Sequence, residues 1–416
     1  MSENFNLHDL SKFNDIENKP TNNEKNNNAE ISTPYILRQE MLNAIPDNFW
    51  EKPRKVFEPC CGKGGFLIDI INRFDNGLKS LYPDDKTRYE IIIQDCLYFI
   101  DINKTNVLFC EKLLNLLGNF KINSNKGNTL KLNIYKKWKL KGFDAIIGNP
   151  PYQIRVGLKK TEALWNKFVL KLLNDLNQNG YLLLVNPSGW RSPSGKFRNI
   201  FDEIMSRNLI YLNMNSFTKG KQMFNVSTNY DYYLLQNNKN YINTIINDID
   251  DKINNINLIN WNFIPSGNFN LFEKLIFNKE KKVNIIYSRS LYGTDKINMN
   301  ETENKKYKFP CCYTITKKNG IKCFYSNIKH GHFGIPKIIW SNGNGTYPVI
   351  DKDGKYGLTQ FSYAIEDDKN NLESIKKAMN NHKFLNLMSY VQFQSHKYNY
   401  KVIGLFKNDF WKEFLN

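Results

Sequence analysis

A chain of 416 residues has room for two domains of ordinary size, and an apolar share of 41% is enough to give each a core. No run approaches the ~18 apolar residues of a membrane span, the N-terminus is polar and lacks a secretory h-region, and the cysteines, with adjacent pairs at Cys60-Cys61 and Cys311-Cys312, do not form a secreted disulfide framework; a soluble intracellular protein with reduced thiols is expected. The formal charge of +18 has two readings, a polyanionic partner bound through Lys and Arg, or an AT-rich genome that biases codons toward Lys and Asn.

Residues 1 to 28 are rich in Asn, Lys and Asp, bury too little to offset their ordering entropy, and read as a flexible tail. Thr33 can cap, and Pro34 open, a helix with Leu37, Met41 and Ile45 on one face. A short strand at Val56-Phe57 runs through Glu58-Pro59-Cys60-Cys61 into Gly62-Lys63-Gly64-Gly65, and then into a helix carrying Phe66, Ile70 and Phe74. Glycines at a strand-to-helix turn let the backbone approach a ligand closely. After an insertion over residues 75 to 88, two strands compete, Ile91-Ile92-Ile93 leading to Asp95 and Leu97-Tyr98-Phe99-Ile100 ending at Asp101. Asp101 is preferred, because Ile102-Asn103 and a helix with Val107, Cys110, Leu113, Leu114 and Leu117 follow it.

Gly127-Asn128-Thr129-Leu130 reads as a turn. Phe143-Asp144-Ala145-Ile146-Ile147-Gly148 fits a strand buried on both faces of a parallel sheet, and it stops at Asn149-Pro150-Pro151-Tyr152. The two prolines fix φ and forbid helix, so one amide and one aromatic ring are held apart at a defined separation just beyond the strand, where such sheets bind ligands. A helix through Trp165, Phe168 and Leu172 that closes at Gly180, a strand at Tyr181 to Val185 leading to Asn186-Pro187-Ser188-Gly189-Trp190, and Phe224 at the start of a further strand complete a doubly wound α/β domain with a mainly parallel sheet over residues 29–240.

Residues 237 to 260 change composition and join this domain to a second one at 241–416, expected to be α+β. There, short aromatic and β-branched runs such as Lys337 to Trp340 and Tyr347 to Ile350 alternate with Gly, Asn and Asp, as in Asn342-Gly343, and His396-Lys397-Tyr398-Asn399-Tyr400-Lys401 interleaves bases with rings. That composition suits phosphates and stacked bases, and equally a solvated aromatic-rich domain. Cys311, Cys312, Cys323, His330 and His332 match no usual zinc spacing, so no metal is expected.

Asn149-Pro150-Pro151-Tyr152 after an apolar strand resembles the catalytic motif of S-adenosylmethionine (AdoMet)-dependent amino-methyltransferases, above all those that methylate adenine N6 in DNA. Pro59 to Phe66 is similar to their cofactor loop, Pro-x-Cys-Gly-x-Gly-x-Phe, and Gly127 to Leu130 to their Gly-Asp-x-Leu segment with Asn128 in place of the acid. The order of lid, glycine loop, acid, catalytic turn and C-terminal recognition region is that of the gamma class. Motifs carry the resemblance from about residue 31 to 236; beyond, it rests on position.

The resemblance implies a Rossmann-like methyltransferase domain followed by a target-recognition domain. It implies AdoMet as cofactor, with Thr33 and Tyr35 near its methionine part, Glu58, Pro59, Cys60, Gly62, Gly64 and Phe66 in the loop, Asp101 and Ile102 at the ribose, Asn128 and Thr129 at the adenine, and Asn149 beside the reacting methyl. Asn149, Pro150, Pro151 and Tyr152 would form the catalytic turn, and Tyr152, Phe224 and Trp190 would hold a flipped-out adenine. Thr33 with Tyr35, Asn128 and Phe224 each have a plain alternative, respectively an ordinary capped helix, a turn residue and a core residue. Double-stranded DNA is the expected partner, with a cognate restriction endonuclease acting on the same site, and the protein is expected to be a monomer. The same turn occurs in methyltransferases of guanine N2 in RNA and of protein glutamine, and a catalytically idle DNA-binding subunit is the alternative of another class.

Overall fold

In the computed structural model, the described residues are 31–156, 160–193, 195–225, 228–287, 291–341, 347–393 and 399–415. The tail at 1–28, Val226-Ser227, Asn342-Gly343 and His396-Lys397-Tyr398 lie outside them. Two compact units are present, Met1–Arg191 with Gly195–Asn262, and Ser192–Ser194 with Phe263–Asn416.

The first unit runs α1 (Tyr35–Leu42), β1 (Val56–Glu58), α2 (Gly65–Leu78), α3 (Asp85–Ile91), β2 (Leu97–Asp101), α4 (Lys104–Leu114), β3 (Asn123–Lys126), α5 (Ile134–Trp138), β4 (Phe143–Gly148), β5 (Gln153–Val156), β6 (Lys160–Ala163), α6 (Trp165–Asn174), β7 (Leu176–Pro187), α7 (Arg198–Met205), β8 (Asn208–Asn215), α8 (Phe217–Phe224), β9 (Tyr230–Gln236), β10 (Thr244–Asn247) and β11 (Ile253–Ile256). Its large sheet has the order β11-β10-β8-β9-β7-β4-β1-β2-β3. The run from β3 to β7 is parallel, and β9 lies antiparallel between β7 and β8. The chain winds outward from β1 to β3 and returns to the other side of β1 as β4, pairing Val56 with Ala145 and Phe57 with Ile146. The strand order therefore reverses between β1 and β4, and the crevice beyond their carboxyl ends is the ligand position of such a sheet.

Apolar periodicity explains the layers. α2 buries Phe66, Leu67, Ile70, Ile71 and Phe74 together with Leu37 and Met41 of α1, and each large side chain so buried contributes about 1.5–3 kcal/mol. Phe57 stacks on Phe143 at 4.7 Å, with Trp138 edge-on to both.

The strand preferred from the sequence, the one ending at Asp101, is the one that forms, and two sequence expectations are corrected. Ile92–Cys96 continues α3 as a π turn instead of forming a strand, so Asp95 sits in a turn and Asp101 ends β2; Ile92 and Ile93 are buried, which an apolar run achieves in a helical turn as well as in a strand. α6 stops at Asn174, and Gly180 lies inside β7, where a Cβ would come within 2.8 Å of the Phe143 carbonyl oxygen. Residues 241–260 belong to the first unit, not to a linker or the second domain. β10 extends the sheet beside β8 with Thr244 and Ile246 turned inward and Ile245 outward, the alternation of a half-buried strand, and the division falls after Asn262.

The second unit contains α9 (Phe269–Ile276), β12 (Asn284–Ile286), β13 (Met299–Asn300), β14 (Phe309–Thr316), β15 (Gly320–Ser326), β16 (Lys337–Ser341), β17 (Val349–Asp351), β18 (Gly357–Leu358), β19 (Ser362–Glu366), α10 (Leu372–Met379), α11 (His382–Ser389) and α12 (Tyr400–Ile403). Its sheets are β12-β19-β16-β17 and β13-β15-β14-β18. Lys337 is fully buried and donates to Asp351 at 2.8 Å and to the His332 carbonyl at 3.0 Å; a buried ammonium requires such partners. Among the described residues no helix is long and apolar enough to cross a membrane, and no group of three His, Cys, Asp or Glu has the arrangement of a metal site.

Candidate active site

Left-handed backbone shapes the loop after β1. Gly62 has φ +49° and Gly64 φ +81°, and a Cβ on Gly64 would meet the Cys110 sulfur at 3.1 Å. The turn is tied to the end of β2: Asp101 Oδ2 accepts from the Gly62 N–H at 2.9 Å, Oδ1 from the Asn103 N–H at 2.7 Å, and the Cys61 N–H donates to the Ile100 carbonyl at 3.0 Å. Burial raises the Asp101 pKa, against the pull of these N–H donors. Ile102 beside it is 64% exposed. Asn128 Oδ1 accepts from the Leu130 N–H at 2.9 Å, and the buried Thr129 hydroxyl donates to the Pro59 carbonyl at 2.5 Å, so this segment docks on the glycine loop.

Glu58 is buried at the end of β1, and its Oε2 has no hydrogen-bond partner. Burial pushes its carboxyl pKa well up, the neighbouring Cys110, Asp101 and Asp69 add to this, and Arg38 opposes it. Phe66 is packed in the core instead of facing the crevice. The Cys60 thiol is pushed well up by burial, so it is protonated at neutral pH and no thiolate nucleophile is present there. Tyr35, half-buried, has the Arg38 guanidinium 5.7 Å from its ring centre.

The turn after β4 differs. Asn149 Nδ2 donates to the Thr33 hydroxyl at 3.1 Å, while Asn149 Oδ1 is buried without a donor. The Tyr152 hydroxyl is likewise buried without a partner, and its ring packs against the cluster that includes Phe224, Tyr230 and Tyr232. Burial raises the Tyr152 pKa, so the phenol stays protonated. Pro150 is buried and Pro151 half-buried. The Tyr152 carbonyl accepts from the Leu164 N–H at 3.0 Å, fastening the base of the β5-β6 hairpin to the turn.

Thr33 does not cap α1. Pro34 occupies the N-cap position, where its ring offers no acceptor, and the Thr33 hydroxyl is engaged with Asn149. Phe224 is the last residue of α8 and not a strand start; it packs edge-on against Tyr230 at 5.0 Å. Trp190 is fully buried against Phe201 and Tyr233, so it offers no face to a substrate base and the expectation for it is corrected. Its segment is held by Asp231, which accepts from Ser188 at 2.9 Å and Arg191 at 2.8 Å.

Arg38 and Asp69 were not anticipated as part of the site. Arg38 donates to Asp69 at 2.5 Å and to the Thr33 carbonyl at 2.6 Å. The signal was present: a carboxylate within Phe66-Leu67-Ile68-Asp69-Ile70-Ile71 and an arginine beside Leu37 are charges in apolar stripes, which need each other.

Residues 95–224 match the family model of the Eco57I restriction-modification methylases. The matched span opens at Asp95 and includes Asp101, the turn at Asn149 to Tyr152 and Phe224. A Mycoplasma pneumoniae protein described as an uncharacterized adenine-specific methylase is 24% identical to this chain over 298 residues, 52% of this chain and 70% of that protein. Among solved structures, a modification subunit of a putative type I restriction enzyme from Vibrio vulnificus aligns at 15% identity and TM-score 0.42, covering 58% of this chain and 50% of that one. The EcoKI M protein aligns at 15% identity and TM-score 0.40, covering 50% of this chain and 46% of that one. The chain thus spans about half the length of these two proteins.

Proposed function

We propose that the protein is a site-specific DNA methyltransferase that transfers the methyl group of AdoMet to N6 of an adenine flipped out of the duplex. The observation that carries this reading is Asn149 Oδ1, a buried acceptor with no donor, at the end of the strand next to the glycine loop. An exocyclic amino group brings two N–H donors. One satisfies Asn149 Oδ1 and the other the Pro150 carbonyl; together they favour a tetrahedral nitrogen with a localised lone pair and stabilise the positive charge that develops there. Tyr152 supplies the ring on which the flipped base stacks, and Phe224 backs it from the core.

The residues around β1 and β2 fit AdoMet. Glu58 Oε2 is an orphaned buried acceptor suited to an ammonium group, Asp101 retains acceptor capacity for ribose hydroxyls, and exposed Ile102 offers apolar surface for an adenine ring beside Asn128 and Thr129. Thr33 and Tyr35 border the methionine part. Pro59, Cys60, Gly62 and Gly64 form the loop wall, with Phe66 supporting it from the core. The bound cofactor supplies the electrophilic methyl group and its sulfonium leaving group.

Residues 263–416 serve as the target-recognition domain in this reading. Its surface pairs bases with rings: Lys306 over Tyr307 at 5.3 Å, Lys308 and Lys329 both 5.9 Å from Phe309, and Lys355 over Tyr356 at 5.5 Å. Such pairs can meet phosphate and base together. The enzyme works as a monomer inside the cell, beside an endonuclease of the same specificity. Tritiated AdoMet offered DNA, RNA and protein in parallel tests the substrate class, and sequencing for N6-methyladenine in cells expressing the protein reads the target. Label in DNA at a fixed motif is expected; label confined to RNA or protein overturns the reading.

A further inference from the structure

We infer that Thr33 is a positioning residue for the reaction, fixing the Asn149 side-chain amide with its oxygen toward the incoming amine, and that Arg38 in turn fixes Thr33. This deepens the proposed function and rests on it. An asparagine amide turns about a broad, roughly two-fold terminal torsion, so nothing intrinsic decides which end faces a ligand. Here the Thr33 hydroxyl, 116 residues away in sequence, takes the Nδ2 end at 3.1 Å and leaves Oδ1 as the free buried acceptor.

Thr33 is itself held. One arm of the Arg38 guanidinium donates to its carbonyl at 2.6 Å, and another donates to Asp69 of α2 at 2.5 Å. Both side chains of that ion pair are buried, and burying the charges costs several kcal/mol unless each is paired. Gly65 makes room for it. Its φ is not in the left-handed region, yet a Cβ there would lie 2.7 Å from Arg38 Nη1 and 2.8 Å from Cζ. A side chain at the third glycine of the loop would therefore displace the Arg38 guanidinium from its place. Asp69, Arg38, Thr33 and Asn149 form one hydrogen-bonded chain from the helix of the glycine loop to the catalytic amide.

The test compares kcat at saturating AdoMet and DNA, and the Kd of AdoMet, for wild type, Thr33→Val, Thr33→Ser and Gly65→Ala. Thr33→Val keeps the shape and removes the hydroxyl; because Thr33 also borders the cofactor, the reading is taken at saturating AdoMet, where kcat should fall about 10-fold, the effect of one lost hydrogen bond in the transition state. Thr33→Ser should restore kcat to within about 3-fold. Gly65→Ala, by displacing Arg38, should lower kcat to a value between the two. Undiminished kcat in Thr33→Val, a loss confined to AdoMet binding, or a Thr33→Ser variant as slow as Thr33→Val overturns the positioning role. If wild type methylates RNA or protein instead of DNA, the functional reading falls, while the same comparison on that acceptor still decides the role of Thr33.

Discussion

The two halves of the strand-end face differ in where their polar groups find partners. Beyond β1 and β2, Asp101 is met by two backbone N–H groups, Asn128 by Leu130 and Thr129 by Pro59. Beyond β4, Asn149 Oδ1 and the Tyr152 hydroxyl are buried and unmet. A buried unsatisfied group costs about 1–3 kcal/mol, so such groups persist where a ligand completes them. The first half is built to hold its shape before anything binds. In the proposed reading the substrate amine supplies the donor that Asn149 Oδ1 lacks, while Tyr152 offers its ring and not its hydroxyl, and the Thr33 hydroxyl bonds to Asn149.

Asn149→Ala removes the acceptor that the comparison singles out and should have the largest effect. Loss of kcat by roughly 10²- to 10³-fold or more is expected, with AdoMet still bound, as when a preorganised group facing developing charge is deleted. Near-normal turnover would mean that the unmet amide is not the reacting acceptor. Tyr152 sharpens the contrast through two substitutions. Tyr152→Ala should weaken capture of the flipped base by about 1–3 kcal/mol, the worth of one base-aromatic stack, read as lost fluorescence enhancement of 2-aminopurine at the target position. Tyr152→Phe deletes a hydroxyl that has no partner and should leave both kcat and thermal stability near wild type. A large kcat loss in Tyr152→Phe would show that the hydroxyl meets substrate.

The sequence made much of this face legible. Continuous apolar runs ending in turn residues located β1, β2 and β4, and a rigid proline pair marked the turn after β4, because local sterics decide these features. What escaped was set by distant contacts. The Thr33 hydroxyl has the sequence of a helix cap but bonds to Asn149, a partner that only the fold supplies. Trp190 lies at a strand end, as a base-contacting residue would, yet packing against Phe201 and Tyr233 buries it entirely. Residues 237 to 260 change composition and read as a linker, but a strand near the sheet edge needs only one apolar face, and Thr244 secures β10 by donating to the Leu209 carbonyl at 2.7 Å.

Glu58 is the exception in the preformed half, a buried acid with one oxygen unmet, and it yields the finest test. Desolvation holds its folded pKa well above the unfolded value. The stability associated with the proton on Glu58 is therefore complete below the unfolded pKa and is lost as pH rises through the folded pKa. Glu58→Gln cannot ionise, so its melting temperature relative to wild type should climb as pH increases across that window. An ammonium group at Oε2 would favour the carboxylate, so AdoMet binding to wild type should expel protons at pH values below the folded pKa of Glu58, where the buried carboxyl still holds its proton. The measurement is calorimetric titration in buffers of different ionisation enthalpy: the apparent heat should vary with buffer for wild type and much less for Glu58→Gln, whose AdoMet affinity should drop about 10-fold through loss of a charge-assisted hydrogen bond. Equal buffer dependence in the two proteins would place the cofactor's ammonium elsewhere and leave Glu58 as a buried acid of the core, returning the preformed half to a uniform description.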